Sequence, residues 1–373
     1  PPSRHYLAAM GQIMTTITFE RDATAADAPR APIADDRAML KAAADLTRDI
    51  NAPRARVYWG DFLGSVALGY AGLVSAIALH STAWTIAAGV IAVLALYRAL
   101  SFIHELTHVR HAALPGFRFA YNLFIGVPML VPSFMYEGVH NLHHARTRYG
   151  TVDDPEYLPL ALMKPWTLPA FIIVAALAPV ALIFRYGVLS PLSLVIPPLR
   201  RAVVERYSAL TINPSFRRRM PEGEFRTQWN RIEAACAVWA VALIVLVATG
   251  TLPLRAFAIM LAVASGVAVL NQVRTLVAHL WENEGEAMTV TAQYLDSVNV
   301  PPPGLLPALW APVGLRYHAL HHLLPGLPYH SLGEAHRRLT AALEPASPYH
   351  NANYRSLPYL IGKIARSTML PRG

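Results

Sequence analysis

Four stretches of the chain stay apolar for long enough to cross a bilayer. A hydrocarbon core about 30 Å thick takes roughly 20 residues of helix, and residues 58–80, 82–103, 232–249 and 255–276 meet that length. A short turn around His80, Ser81 and Thr82 joins the first two, and Thr249-Gly250-Thr251-Leu252-Pro253 joins the last two. Each pair predicts a helical hairpin. Three further apolar stretches are interrupted. Residues 119–135 hold Pro128 and Pro132 and predict an interfacial or re-entrant segment. Residues 166–199 hold Arg185 and several prolines and predict a re-entrant hairpin or helices lying in the membrane, with a pair of extra spans as the alternative. Residues 300–313, VPPPGLLPALWAPV, predict a segment at the interface, where tryptophan is favoured.

The expected fold is therefore an all-α integral membrane protein with four transmembrane helices in two hairpins and added interfacial or re-entrant helices. The expected division is an N-terminal segment over 1–57, a membrane catalytic domain over 58–345 and a C-terminal tail over 346–373. Residues 1 to about 35 are polar and rich in Ala, Asp and Pro, a composition that predicts disorder. No signal peptide is visible. Ser331 followed by Glu334 predicts a capping box, and Leu332, Ala335, Leu339 and Leu343 predict a helix that packs by one apolar face.

Charge orients this arrangement. Arg54 and Arg56, Arg110 and Arg118, Arg146 and Arg148, Arg200 and Arg201, Arg217 to Arg219, and Arg337 and Arg338 flank the ends opposite the two short turns. The positive-inside rule then puts both termini and those loops in the cytoplasm. The formal charge of +9 comes from these loop clusters, with no basic stripe interleaved with aromatics, so nucleic-acid binding is excluded. With 54% hydrophobic against 15% charged residues, the solvent is lipid. Arginine outnumbers lysine 29 to 3, which points to a bacterial inner membrane. Cys236 is the one cysteine and lies in an apolar run, which excludes disulfides, thiolate zinc and a built-in iron-sulfur or rubredoxin-like centre. Any electrons must come from another molecule.

Fifteen histidines occur, and ten gather near the cytoplasmic ends of the four spans. His104, His108 and His111 follow the second span; EGVHNLHH supplies His140, His143 and His144; His279 follows the fourth span; RYHALHH supplies His318, His321 and His322. Residues i and i+4 share a helix face, so His104 and His108 can converge on one ion. In H-x-x-H-H the adjacent pair can reach two neighbouring ions. A single zinc takes three or four ligands; the eight boxed imidazoles, with His279 as a ninth candidate, are a surplus that two metals account for. His5, His80, His330, His336 and His350 read as ordinary interfacial or hydrogen-bonding residues.

Three metal chemistries compete on the residues alone. His104-Glu105-Leu106-Thr107-His108 fits the H-E-x-x-H zinc peptidase motif, with Glu105 as general base, but leaves six boxed histidines idle. Glu105 with His108 and Glu137 with His140 fit the Glu-x-x-His pairs of carboxylate di-iron bundles, which need two further glutamate-bearing helices. A histidine-only di-metal cap uses all the boxes. A metal transporter is a fourth reading and would need ionisable groups along a path through the spans.

HxxxH, HxxHH and HxxHH, in this order at the ends of two hairpins, resembles the membrane fatty acid desaturase superfamily over roughly residues 55–345. RYHALHHLLPGLPYH and HNLHHARTRYGTVDDPEY resemble its acyl desaturase-like branch. The resemblance implies two non-haem iron ions held by His104, His108, His140, His143, His144, His318, His321 and His322, with His279 similar to the family's extra histidine. It also implies O2 as co-substrate, two external electrons, and desaturation of a long-chain fatty acyl or lipid substrate, with hydroxylation on the same site as the alternative. The first box has three intervening residues where stearoyl-CoA desaturases carry four. No His-Pro-Gly-Gly haem motif marks a fused cytochrome b5 domain, which implies a separate ferredoxin, rubredoxin or cytochrome b5-like donor with its reductase. Carboxylates that would orient the rings and offset ferrous charge are sought in Glu105, Glu137, Asp153, Asp154, Glu156, Glu282 and Asp296, with His111 beside the first box.

Overall fold

The computed structural model describes residues 33–369 except 161, 162, 164 and 165. His5 and most of the stretch expected to be disordered lie outside the described residues. After a short helix α1 (Arg37–Asp45), capped by the Asp36 side chain on the Met39 amide, come two long apolar helices, α2 (Ala55–Ala78) and α3 (Thr82–His108). They pack as the expected hairpin because small residues let their backbones meet. A side chain on Gly72 would place its Cβ 2.9 Å from the Ala92 amide nitrogen and 3.0 Å from the Ala88 carbonyl. The second hairpin is α8 (Gly223–Ala248) and α9 (Leu254–Leu276), turned at Gly250 with φ +73.

Between the hairpins the chain first folds back over the cap. The helix α4 (Phe117–Tyr121) runs into a π-turn at Asn122–Gly126 and leaves Phe119 and Leu123 exposed, as an interfacial segment would. A short helix α5 (His140–His143) follows. Residues 166–199 differ from the expected hairpin. Thr167–Ser193 forms one continuous 27-residue helix, α6, so five helices are long and apolar enough to cross a membrane. Two features that argued for a break are absorbed. Pro179 sits inside the helix, and Arg185 opens a π-turn in which its guanidinium pairs with Glu233 of α8 at 2.8 Å and bonds Ser190, Ser208 and the Tyr207 carbonyl. A buried charge paired and hydrogen-bonded in this way does not break the helix.

Those same bonds fix where α6 ends. Its first half packs on α9, where Gln272 donates to the Phe171 carbonyl and Ser265 to that of Ala176. Its second half is tied through Ser208, after the helix α7 (Pro197–Tyr207), to a strip whose Leu210 amide bonds the Met135 carbonyl beside the second histidine box.

The cap is built from α10 (Val290–Asp296), α11 (Pro307–Trp310), α12 (His318–Leu323), α13 (Leu332–Ala342) and α14 (Leu357–Met369). Leu332, Ala335 and Leu339 of α13 are buried with Met39 and Ala43 of α1 and with Tyr349 and Ala352, so this helix packs by the face the sequence marks. Its capping box does not form: the Ser331 hydroxyl bonds His330, and Glu334 pairs with Arg338 at 2.7 Å. Leu360 and Ile364 of α14 are buried beside Leu276 and Trp281. Filling the α2–α3 contact is expected to overpack the hairpin by roughly 1–3 kcal/mol: Gly72→Leu should lower the melting temperature of the detergent-solubilised protein, whereas Gly60→Leu, with nothing within 4 Å of its Cβ position, should leave it unchanged.

Candidate metal centre

The histidines come together because each box sits on a helix end aimed at one place. His104 and His108 are one turn apart at the end of α3, and three elements with little sequence between their histidines complete the ring: α5, α12, and the stretch after α9, where His279 bridges Ser297. All nine candidates meet, in two groups. His104, His108, His140, His144 and His321 form the first; His143, His279, His318 and His322 form the second; within each, the candidate ligand atoms lie within 4.8 Å of one another. In both H-x-x-H-H boxes the residues at i and i+4 share a group and the residue at i+3 turns to the other.

Inside each group the Nε2 atoms face one another. His140 and His144 are 2.9 Å apart, His144 and His321 3.1 Å, His279 and His318 3.1 Å, and His318 and His322 3.2 Å. The groups touch where His144 stacks on His322, ring centroids 4.3 Å apart. Several of these nitrogens are buried with no hydrogen-bond partner, among them both of His104, Nε2 of His108 and Nδ1 of His318 and His322. An unsatisfied buried polar atom costs about 1–3 kcal/mol, so lone pairs crowded this closely fit a cation in each group. Burial pushes the pKa values of His140, His144, His279, His318, His321 and His322 well below the ordinary histidine range, which keeps the rings neutral as metal ligands must be.

The outward nitrogens are held by oxygen. Asp154, wholly buried, takes Nδ1 of His143 at 2.9 Å and is itself fixed by the amides of Gly150 and Glu156. Burial acts to lower the His143 pKa, but the Asp154 carboxylate outweighs it and the net shift is upward. Glu156 takes Nδ1 of His140 at 2.8 Å and accepts from the Tyr136 hydroxyl at 2.6 Å; burial lifts its pKa to about 7. His279 is held by the Tyr149 hydroxyl at 2.8 Å, which also donates to Asp296. Burial lifts the Asp296 pKa to about 6, and the Glu282 backbone bonds it. Glu105 lies 3.6 Å from Nδ1 of His104 and accepts from the Tyr58 hydroxyl at 2.5 Å. With the outer nitrogens of His140, His143 and His279 so engaged, the inner one of each is left with its lone pair toward the group.

Three candidates do not join. Glu137 pairs with Arg118 at 2.8 Å and touches no clustered histidine. The Glu-x-x-His spacing misleads here because Gly138, at φ +71, turns the chain before α5 starts at His140, so Glu137 and His140 share no helix face. His111 is exposed and contacts Arg118. Asp153 is exposed as well. His330, His336 and His350 bond Arg54, Tyr349 and the Glu344 carbonyl, away from the groups. Sequence reasoning missed Tyr58, Tyr136 and Tyr149, which no spacing rule marks. It also missed Asp61, which pairs with Arg98 within the first hairpin and accepts from Tyr329 at 2.9 Å.

Two groups of imidazoles at the ends of apolar hairpins, backed by carboxylates, could each hold a metal ion. A family profile described as "Fatty acid desaturase" matches residues 81–357, and the chain belongs to that family, whose members are generally non-haem di-iron enzymes. The chain is an oxygen-dependent lipid oxidoreductase. It is 48% identical over 336 residues to a protein named "Ceramide hydroxylase" from Caulobacter vibrioides, an alignment covering 90% of this chain and 95% of that relative.

Because His143 and His321 belong to different groups, His143→Ala and His321→Ala are each expected to lower the metal content of the purified protein, measured by elemental mass spectrometry; two intact equivalents in either variant would remove that residue from the ligand set. Asp154→Asn keeps the shape but weakens the hold on His143, so a loss of metal affinity of about 10- to 100-fold is expected in competition with a chelator.

Proposed function

We propose that this protein inserts oxygen into a ceramide-class lipid, using a pair of iron ions held by His104, His108, His140, His144 and His321 on one side and His143, His279, His318 and His322 on the other. The observation that carries the substrate class and the reaction is the 48% identity, over nearly the full length of both chains, to a ceramide hydroxylase. When bound, the metals supply the activation of O2 that no side chain offers, since unactivated C–H bonds do not yield to acid-base chemistry. The chain's own part is to orient His143, His140, His279 and His104 through Asp154, Glu156, Tyr149 and Glu105, and to keep water from a site whose second group is wholly buried.

Topology supports a cytoplasmic site. The second and third boxes meet, so the chain between them must cross the bilayer an even number of times; α8 and α9 supply two crossings. On this reading α6 lies in the membrane without crossing it, as the ties of Arg185 to Glu233 and Ser208 favour. Four crossings then place the boxes and both termini in the cytoplasm of a bacterial inner membrane, by the arginine distribution. The catalytic domain is taken as 58–345, with 1–57 and 346–373 flanking it. With Cys236 buried and alone, two electrons come from a ferredoxin, rubredoxin or cytochrome b5-like donor with its reductase. Long apolar chains reach the cap from the bilayer that the exposed Leu68, Val74, Ile86, Val90, Ile173 and Val174 face.

Lipid profiling of a ceramide-producing host tests this reading. Expression of the protein is expected to raise ceramide mass by one oxygen, and His321→Ala to abolish the change. Loss of two hydrogens without added oxygen would make the enzyme a desaturase; change confined to lipids without an amide-linked chain would overturn the substrate class.

A further inference from the structure

Three arginines of the apolar helices are matched by oxygen. Arg98 pairs with Asp61, Arg185 with Glu233, and Arg255 donates to the carbonyls of Ile77 and Leu79. Arg274, in the last turn of α9, is different. Its Nε is buried with no acceptor, its other nitrogens meet only the Tyr97 hydroxyl and, at 3.4 Å, Asn271 of its own helix, and no carboxylate lies within ion-pair distance of it among the described residues. A guanidinium offers five donors, and an ionisable group left this way at the edge of a membrane is a binding site by default.

Its position says what it faces. Arg274 lies in the last turn of α9, five residues before His279, and Tyr97 precedes His104 by seven residues on α3, about 10 Å at 1.5 Å rise per residue, so both lie on the membrane side of the histidines. The guanidinium acts electrostatically on the Tyr97 hydroxyl, on His104 of the first group and on His279 and His318 of the second. The side chain is only part-buried, so it remains accessible. A site built solely to admit hydrocarbon gains nothing from a cation with no carboxylate partner at its membrane side, where desolvating the charge costs free energy.

We propose that Arg274 binds a hydrogen-bond-accepting group of the substrate, the amide carbonyl or a hydroxyl of a ceramide-class lipid, at the membrane side of the metal centre. This rests on the ceramide reading for the identity of the acceptor, but not for its existence. Because the guanidinium sits beside the Tyr97 hydroxyl on the membrane side of the histidines, an acceptor held by it leaves only a short length of chain between the polar group and the carbon presented for oxidation. The oxygen therefore enters next to the polar end of the lipid and not at mid-chain.

The competing role is that of an ordinary cation at a helix C-terminus, interacting with the dipole and reaching for water. Full-length, metal-loaded wild-type, Arg274→Met and Arg274→Lys proteins in lipid nanodiscs separate the two. Each is titrated with N-hexadecanoyl sphinganine and with a hydrocarbon of similar length that lacks amide and hydroxyls. Arg274→Met is expected to bind the amide lipid about 10- to 100-fold more weakly, Arg274→Lys to recover part of that loss, and hydrocarbon binding and metal content to stay unchanged in both. Wild-type affinity of Arg274→Met for the amide lipid overturns the proposal, as does loss of metal, which would make Arg274 a structural part of the cap. The position of oxidation gives an independent reading in the expressing host: within about four carbons of the polar group supports the proposal, and mid-chain oxidation overturns it. If the wild type neither binds nor oxidises N-hexadecanoyl sphinganine, the ceramide reading fails, and Arg274 is judged by the same positional rule on the lipid that the wild type does oxidise.

Discussion

The whole cap depends on nitrogen lone pairs made to face one another. Two imidazole Nε2 atoms about 3 Å apart repel when neither carries a proton, and the structure brings several such pairs together in one small volume. Such an arrangement is unfavourable in a purely structural core, where each ring would turn to find a donor. It becomes favourable when positive charge sits between the nitrogens, so the centre is better understood as a mould for two ions than as a polar cluster.

Holding the mould open requires work from the surrounding residues. The carboxylates of Asp154 and Glu156 grip the outer faces of His143 and His140, and hydroxyls from Tyr136 and Tyr149 fasten the carboxylates and His279 in turn. Beneath the first group, Tyr58, Phe62, Phe102, Phe117 and Tyr329 meet edge to face and form a dry floor between the hairpin and the cap. Apolar surroundings lower the local dielectric, which strengthens every one of these polar contacts and raises the cost of losing any of them.

Much of this was legible in the sequence, for reasons that differ by element. Hairpins announce themselves through the length of their apolar runs, and H-x-x-H-H repeats through helix geometry, so the α2–α3 and α8–α9 pairs and all nine histidines fall where the pattern puts them. What failed depended on partners far along the chain. Arg185 looked like a helix breaker because its neutraliser, Glu233, lies on another helix. Ser331 and Glu334 had capping spacing, but His330 and Arg338 took their side chains first. Glu137 had ligand-pair spacing, but the left-handed turn at Gly138 pointed it at Arg118. The buttressing tyrosines carry no local signature at all, since their role is set by distance in space.

The way each double-histidine box divides its rings has a mechanical result. His140 and His144 serve one group while His143 serves the other, and α12 repeats the arrangement with His318 and His322 against His321. A helix of 3.6 residues per turn rotates about 100° per residue, so slipping either short helix by one position would strip both groups together. The two histidine groups thus stand or fall in lockstep, like two dials on a single shaft.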